Sequence, residues 1–285
     1  MSRLGLAVHR FRPDALEVAG RVISWAATNG YEVVVDESDI ASLRSTAVLG
    51  GDVGDVDVLV SIGGDGTMLR SVHELNGRVV PLIGVNLGQL GYLAVVEDDE
   101  VIEALDVWHN GTEGTEYHYD DRMLLEVSMW ANGARLSNHL AMNEVVIEKS
   151  EAGHTVRLGV DIDKAMFTTY AADGLILATP TGSTAYSMSA RGPILSPRLR
   201  AILMTPVSPH MLFDRSMVLD PQELVRIEIL GHRSVNVATD GELVHTLRPG
   251  DVVEVRAAQE VARFVRFKEQ RFHQTLKSKF GLSDR

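Results

Sequence analysis

The 285-residue sequence predicts an α/β domain built on a parallel sheet, then a mostly antiparallel β domain, with a C-terminal helix packing back on the first domain. Three observations predict it. Short β-rich runs alternate with helical stretches through the first third, the signature of strands joined by crossover helices. From about residue 116 the helices give way to closely spaced alternating runs separated by turn residues, as in a β-sandwich. Aromatic residues then recur among Lys and Arg over 264–280 as a rough helical stripe.

Residues 4–8 and 32–35 read as the first two strands, with a helix over 14–29 between them that stops at Gly30. Residues 58–62 and 79–85 continue the series, giving a Rossmann-like parallel sheet whose ligands are expected beyond the C-terminal strand ends. In the second part, runs at 123–130 and 135–147 flank Asn132-Gly133, the dipeptide suited to a two-residue hairpin turn because both positions need positive φ. Alternation at Val156, Leu158, Val160 and Ile162 marks another strand, and 217–219, 224–229, 234–238 and 252–256 supply more. The expected division is 1–115, with 264–285 returning to it, and 116–263. Phe264, Phe267, Phe272, Leu276 and Phe280 carry the terminal stripe.

The composition is that of a folded globular protein, 45% hydrophobic and 23% charged. No run approaches the length needed to span a bilayer, and the apolar segment at 4–8 is too short for a secretory leader, so a cytoplasmic protein is expected. The absence of Cys excludes disulfides and thiolate chemistry. A formal charge of -12 argues against a nucleic acid partner, and it also opposes any phosphorylated ligand unless backbone N–H groups, local cations or Mg²⁺ offset it.

One stretch supplies such a device. Gly63-Gly64-Asp65-Gly66-Thr67 follows a buried strand and opens a helix. Glycines there admit a ligand to the backbone, and the helix start offers unpaired N–H groups to phosphate. Asp65 is the anomaly: a carboxylate in a phosphate cradle is useful if it holds Mg²⁺ or accepts a proton from a hydroxyl, and both uses belong to phosphoryl transfer. The alternative is a structural turn. Neither a P-loop nor a G-x-G-x-x-G spacing is present. Gly84, Gly88 and Gly91 form a second glycine-rich segment, either a ligand-facing loop or a tight crossover.

A second cluster joins Asn143-Glu144, at the start of an apolar strand, to Asp173-Gly174 and the hydroxyl-rich run 179–189. A Glu can accept from vicinal ribose hydroxyls. In the run, Tyr186 can cover a flat base while neighbouring Thr and Ser hydroxyls bond a ribose or an amide. His73, His118, His139, His210 and His245 show no metal-ligand spacing.

Taken together, Gly63-Gly64-Asp65-Gly66-Thr67, Asn143-Glu144, and Asp173-Gly174 with Thr179-Pro180-Thr181-Gly182-Ser183-Thr184-Ala185-Tyr186 closely resemble the NAD kinase family, as do "TPVSPH" at 205–210 and "TDGE" at 239–242. The first motif alone is shared with diacylglycerol kinases, sphingosine kinases and phosphofructokinases. The resemblance implies transfer of the ATP γ-phosphoryl group to the 2′-hydroxyl of the adenosine ribose in NAD, with Mg²⁺ as cofactor. It implies that Asp65 is the proton acceptor, and that Gly63, Gly64, Asp65, Gly66 and Thr67 meet ATP. Asp65, Gly66, Arg70, Asn143, Glu144, His154, Asp173, Thr184, Ala185, Tyr186, Ser187, Met188, Ser189 and Glu242 would meet NAD. Direct metal ligands are left unassigned. Relatives imply a homodimer or homotetramer, and polyphosphate is an alternative donor to ATP. Arg191 departs from the family's usual Gly before Gly192-Pro193. A lipid kinase of the same superfamily and a non-catalytic NAD sensor are the rival readings. The polar loop speaks against the first and the retained Asp65 against the second.

Overall fold

The computed structural model describes residues 2–43, 47–88, 91–268 and 272–282, and the chain divides into two compact units, Met1–Asp121 with Ala262–Arg285, and Arg122–Val261.

Unit 1 holds, in order, β1 (Ser2–Val8), α1 (Pro13–Thr28), β2 (Tyr31–Val35), α2 (Glu37–Leu43), β3 (Val48–Gly50), β4 (Val58–Gly63), α3 (Asp65–Leu75), β5 (Leu82–Asn86), β6 (Val96–Glu97) and α4 (Val101–Asn110). Pro13 starts α1, where its missing N–H costs nothing, and Ala15, Val18, Ala19, Val22, Ile23 and Ala26 recur at helical spacing as the buried face. The strands lie parallel in the order β3-β2-β1-β4-β5-β6. That is the dinucleotide-fold order, and its reversal point falls where β1 and β4 end, at Val8 and Gly63. β4 is buried along its whole length, as a strand covered on both faces must be. The fifth strand begins at Leu82, three residues later than the sequence pattern places it. Pro81, which lacks an N–H for the ladder, stands just before it and accepts from the Leu59 N–H at 2.9 Å.

The other strands are β7 (His118–Ala131), β8 (Ala134–Ala141), β9 (Glu144–Lys149), β10 (Val156–Ile162), β11 (Ala165–Ala172), β12 (Gly174–Ala178), β13 (Ile202–Val207), β14 (Met217–Leu219), β15 (Val225–Leu230), β16 (Val235–Thr239), β17 (Glu242–Leu247) and β18 (Val252–Arg266). A short helix, α5 (Tyr186–Ser189), follows β12. Unit 2 is a sandwich. One sheet runs β14-β13-β12-β9-β16-β17, the other layer β11-β10-β15-β18-β7-β8. Both contribute to one core, with Leu158, Tyr170 and Ile227 from the second layer and Leu175, Val237 and Ile147 from the first. The outer face of the first sheet buries Val146, Ile176, Ala178 and Leu203 beneath the segment carrying Ala190 and Leu195.

Two expectations are corrected. The run 135–147 is two strands. β8 pairs with β7 in one layer, and after Met142-Asn143 the chain enters the other sheet as β9 between β12 and β16. The stripe over 264–280 is also composite. Phe264 belongs to β18 and pairs with Leu82 of β5, and only Phe272–Lys279 is helical, as α6. Phe264 lies in the strand and Phe267 just past its end, so the stripe joins residues of different elements that fall by chance on a helical spacing. Residues 269–271 of the stripe lie outside the described residues. Asn132 and Gly133 adopt φ of 51° and 76°, the two-residue turn their types require. Among the described residues no helix is long and apolar enough to cross a membrane.

Candidate functional site

In unit 1 the glycine motif sits at the C-terminal end of β4. A Cβ on Gly63 would come within 2.1 Å of Thr67 Oγ1, so glycine is required for the first turn of α3 to close on the strand. Gly64 precedes the helix in extended conformation, and a Cβ on Gly64 or Gly66 would meet no described residue within 4 Å. A cavity of about 430 Å³ is lined by Gly64, Gly66, Thr67 and Arg70 and by the turn after β1, Val8 to Arg12.

Asp65 is the first residue of α3, and its side chain is one-third exposed. Both carboxylate oxygens accept backbone N–H groups, Oδ2 from Tyr92 at 2.9 Å and Oδ1 from Leu93 at 3.0 Å. Gly91 makes that approach possible, since a Cβ there would lie 2.2 Å from Asp65 Oδ1. Lys279 of α6 lies over the Tyr92 ring, 4.2 Å from its centre, with Nζ 3.9 Å from Asp65 Oδ2. Of the glycine-rich segment, Gly91 meets the acidic residue and Gly84 packs against Met68, while Gln89 and Leu90 lie outside the described residues.

Arg70 points its guanidinium at Asp39, with Nη1 2.9 Å from Oδ2, and donates from Nη2 to the Val8 carbonyl at 2.7 Å. Asp39, 1% exposed, also pairs with Arg10 at 2.6 Å. Arg12 donates to the Leu87 carbonyl and pairs with Asp14. Arg10, Arg12 and the buried Asp39 belong to no recognisable motif, and the sequence reading missed them. Their only signal was a dense pair of arginines directly after a strand, in an acidic protein.

In unit 2, Asn143 and Glu144 stand where the chain changes sheets. Thr179 holds this corner from one side, donating from its hydroxyl to the Met142 carbonyl at 2.6 Å and from its N–H to the Asn143 carbonyl at 2.8 Å. Gly182 packs against it so closely that a Cβ would come within 2.0 Å of the Asn143 carbonyl oxygen. From the β16–β17 turn, Asp240 accepts the N–H groups of Met142 at 2.7 Å, Asn143 at 2.7 Å and Glu144 at 3.0 Å. Glu144 is 6% exposed, and its Oε2 has no hydrogen-bond partner among the described residues. Burial, and after it the Asp240 charge, push its carboxyl up to about 7, against a lowering by the Tyr186 N–H.

The hydroxyl-rich run divides in two. Ser183 bonds the Pro180 carbonyl at 2.7 Å, Thr184 the Thr181 carbonyl at 3.2 Å, and buried Ser187 the Thr205 hydroxyl at 3.1 Å. These hydroxyls, with Thr179, are struts of the loop itself and do not form the open polar lining expected of them. Tyr186 and Ser189 are exposed, Ala185 and Met188 half-buried. Burial raises the Tyr186 phenol, as do Glu148, Asp173 and Glu144. Asp173 pairs with Lys149 at 2.7 Å. Unit 2 therefore brings together Asn143, Glu144 and the 179–189 loop. His154 and Glu242 are exposed on its surface.

The chain matches two family models, the ATP-NAD kinase N-terminal domain over residues 4–112 and the ATP-NAD kinase C-terminal domain over 142–267. It is 36% identical over 289 residues to an NAD kinase of Syntrophotalea carbinolica, covering 100% of both chains. It is 35% identical over 282 residues to one of Heliobacterium modesticaldum, covering 98% of each. Among solved structures it is similar to yeast NADH kinase complexed with NADH, at TM-score 0.90 and 26% identity, covering 100% of this chain and 89% of that one. An Archaeoglobus fulgidus NAD kinase in complex with ATP, at TM-score 0.72 and 21% identity, covers 98% of this chain and 97% of that one, and it shares the fold.

Proposed function

Because the chain belongs to the NAD kinase family, we propose that it transfers the γ-phosphoryl group of ATP to the 2′-hydroxyl of the adenosine ribose in NAD, forming NADP. The observation that carries the reading is the unpartnered Oε2 of Glu144, a buried acceptor of the kind that a sugar hydroxyl completes. Against a lipid substrate stands the polar setting of that acceptor, beside the hydroxyl-rich run 179–189. A non-catalytic sensor would have no use for Asp65, whose carboxylate is held by two N–H groups at the head of α3.

In this reading Gly64 and Gly66 admit the donor phosphates to the N–H groups at the head of α3, next to the cavity flanked by Arg10 and Arg12. Asp65 orients the 2′-hydroxyl and accepts its proton as the oxygen–phosphorus bond forms and the bond from the γ-phosphorus to the bridging oxygen breaks, releasing ADP. Tyr186 covers the adenine, and Glu144 with Asn143 holds the ribose. No group of three His, Asp or Glu side chains among the described residues could hold a metal ion. That suits Mg²⁺ carried on the donor phosphates, with Asp65 the protein carboxylate beside them. When bound, Mg²⁺ would neutralise charge on the transferring group. A cytoplasmic homodimer or homotetramer is part of the proposal.

The test is to incubate purified protein with Mg²⁺, NAD or NADH, and ATP or polyphosphate in each combination, and to assay the 2′-phosphorylated dinucleotide. Product from NAD and ATP is expected. Tight NAD binding with no product in any mixture would replace the kinase with the sensor.

A further inference from the structure

Resting on the reading of Glu144 as the ribose acceptor, we infer that Asp240 is the positioning residue of the NAD site, fixing the Asn143-Glu144 corner and tuning how firmly Glu144 takes the ribose.

The inference starts from unpaired backbone. Where β8 ends and β9 begins the chain leaves one sheet for the other, and the N–H groups at such a break lose their regular ladder partners. Asp240 collects three of them on one carboxylate, and its own N–H returns to the Glu144 carbonyl at 2.9 Å. Its partners lie up to 98 positions away in sequence, so this is tertiary bracing. Asp240 and Gly241, at φ of 49° and 86°, form a two-residue hairpin turn that needs no such side-chain contact. In an ordinary hairpin the carboxylate would point to water.

The placement has an electrostatic consequence. Asp240 is a second negative charge beside a buried carboxyl that already lacks a partner on one oxygen. The groups acting on Glu144 are Asp240 from the β16–β17 turn and Tyr186 from α5, whose N–H bonds it. Both the position of the acceptor and its proton affinity thus depend on a residue that does not itself offer an oxygen to the ligand.

The experiment is calorimetric titration of NAD into the full chain between pH 5.5 and 8.5, without donor, for the wild type, Asp240→Asn and Glu144→Gln. Asn tolerates the left-handed backbone at this position but replaces one acceptor oxygen by an amide and removes the charge. Wild-type affinity is expected to weaken as pH falls through about 7, where Glu144 takes up a proton. Glu144→Gln should bind weakly at every pH. Asp240→Asn should bind about tenfold more weakly at pH 8, with its inflection moved to lower pH. If Asp240→Asn does not fold, Asp240→Ser carries the same comparison, because a hydroxyl still accepts one N–H without charge. Wild-type affinity and inflection in the folded Asp240 variant would overturn the inference and leave the kinase reading standing. Failure of the wild type to bind NAD would remove both.

Discussion

Asp65 in unit 1 heads a helix just after a strand and Glu144 in unit 2 heads a strand just after a bend, and the fold treats these two acidic residues in opposite ways. Asp65 is one-third exposed, and each oxygen accepts a backbone N–H. Glu144 is almost fully buried, leaves one oxygen without a partner among the described residues and has the Asp240 carboxylate beside it. A carboxylate held by two fixed donors keeps its direction, as a group that must meet a reacting hydroxyl should. A buried carboxylate one donor short is costly until a ligand hydroxyl supplies that donor, so it favours binding. In the proposed function the first serves chemistry and the second affinity.

The sharpest way to break that contrast is to neutralise each residue. Asp65→Asn should lower turnover by roughly 10²- to 10⁴-fold, the usual weight of general-base catalysis, while NAD binding measured by calorimetry stays near wild type. Unchanged turnover would take Asp65 out of the chemistry. Glu144→Gln should act the other way, weakening NAD binding by roughly 10- to 100-fold. It should also stabilise the fold. The folded carboxyl is raised from 4.5 to about 7, so the stability it allows is complete below pH 4.5 and lost as pH rises to about 7. At pH 8 the charge costs about 3 kcal/mol, at 1.36 kcal/mol per pH unit. Urea unfolding should show that gain at pH 8 and none at pH 4.

Two glycines sharpen the contrast with smaller effects. Gly182→Ala drives a Cβ into the Asn143 backbone, which cannot swing aside, and should lower both stability, by about 1 to 3 kcal/mol, and NAD affinity. Gly91→Ala meets the end of the Asp65 side chain, which can rotate away once its two N–H bonds break. It should reduce kcat with little change in melting temperature. If Gly91→Ala proved as destabilising as Gly182→Ala, the Asp65 carboxylate would be part of the structural frame of unit 1.

What the sequence revealed follows from how locally each feature is encoded. The glycine motif at a strand end and the Asn132-Gly133 turn depend on backbone conformations that few residue types adopt, so both were legible. The break at Met142-Asn143 was not, because strands in either layer alternate in the same way. The corner is instead set by Asp240, far along the chain. The hydroxyls of 179–189 were visible as residue types, but their direction was not, and Thr179, Ser183 and Ser187 turn inward. Asp39 carried no signal at all. Its role comes from two arginines that only the folded sheet brings to it.

The smallest expected effect concerns Arg191, beside the affinity half of the contrast. It adopts φ of 67°, a left-handed conformation that is unfavourable for a side chain with a Cβ. The hydrogen bonds explain why the chain must turn that way. After α5 the Arg191 N–H donates to the Met188 carbonyl at 3.0 Å and the Gly192 N–H to the Ser187 carbonyl at 2.8 Å. These two bonds together form a Schellman ending, whose first residue past the cap is left-handed and normally Gly. Gly192 is needed as glycine for another reason, since a Cβ there would fall 2.2 Å from Ser187 Oγ. Arg191→Gly should therefore stabilise unit 2 by about 1 kcal/mol, less the extra freedom that glycine gives the unfolded chain. Because the substitution relaxes the loop without moving Glu144, the KM for NAD should stay within about twofold, too small to count as the loss of a hydrogen bond. A several-fold rise in that KM at unchanged kcat would instead make the Arg191 guanidinium a ligand contact, and the loop would then join Glu144 as a determinant of affinity.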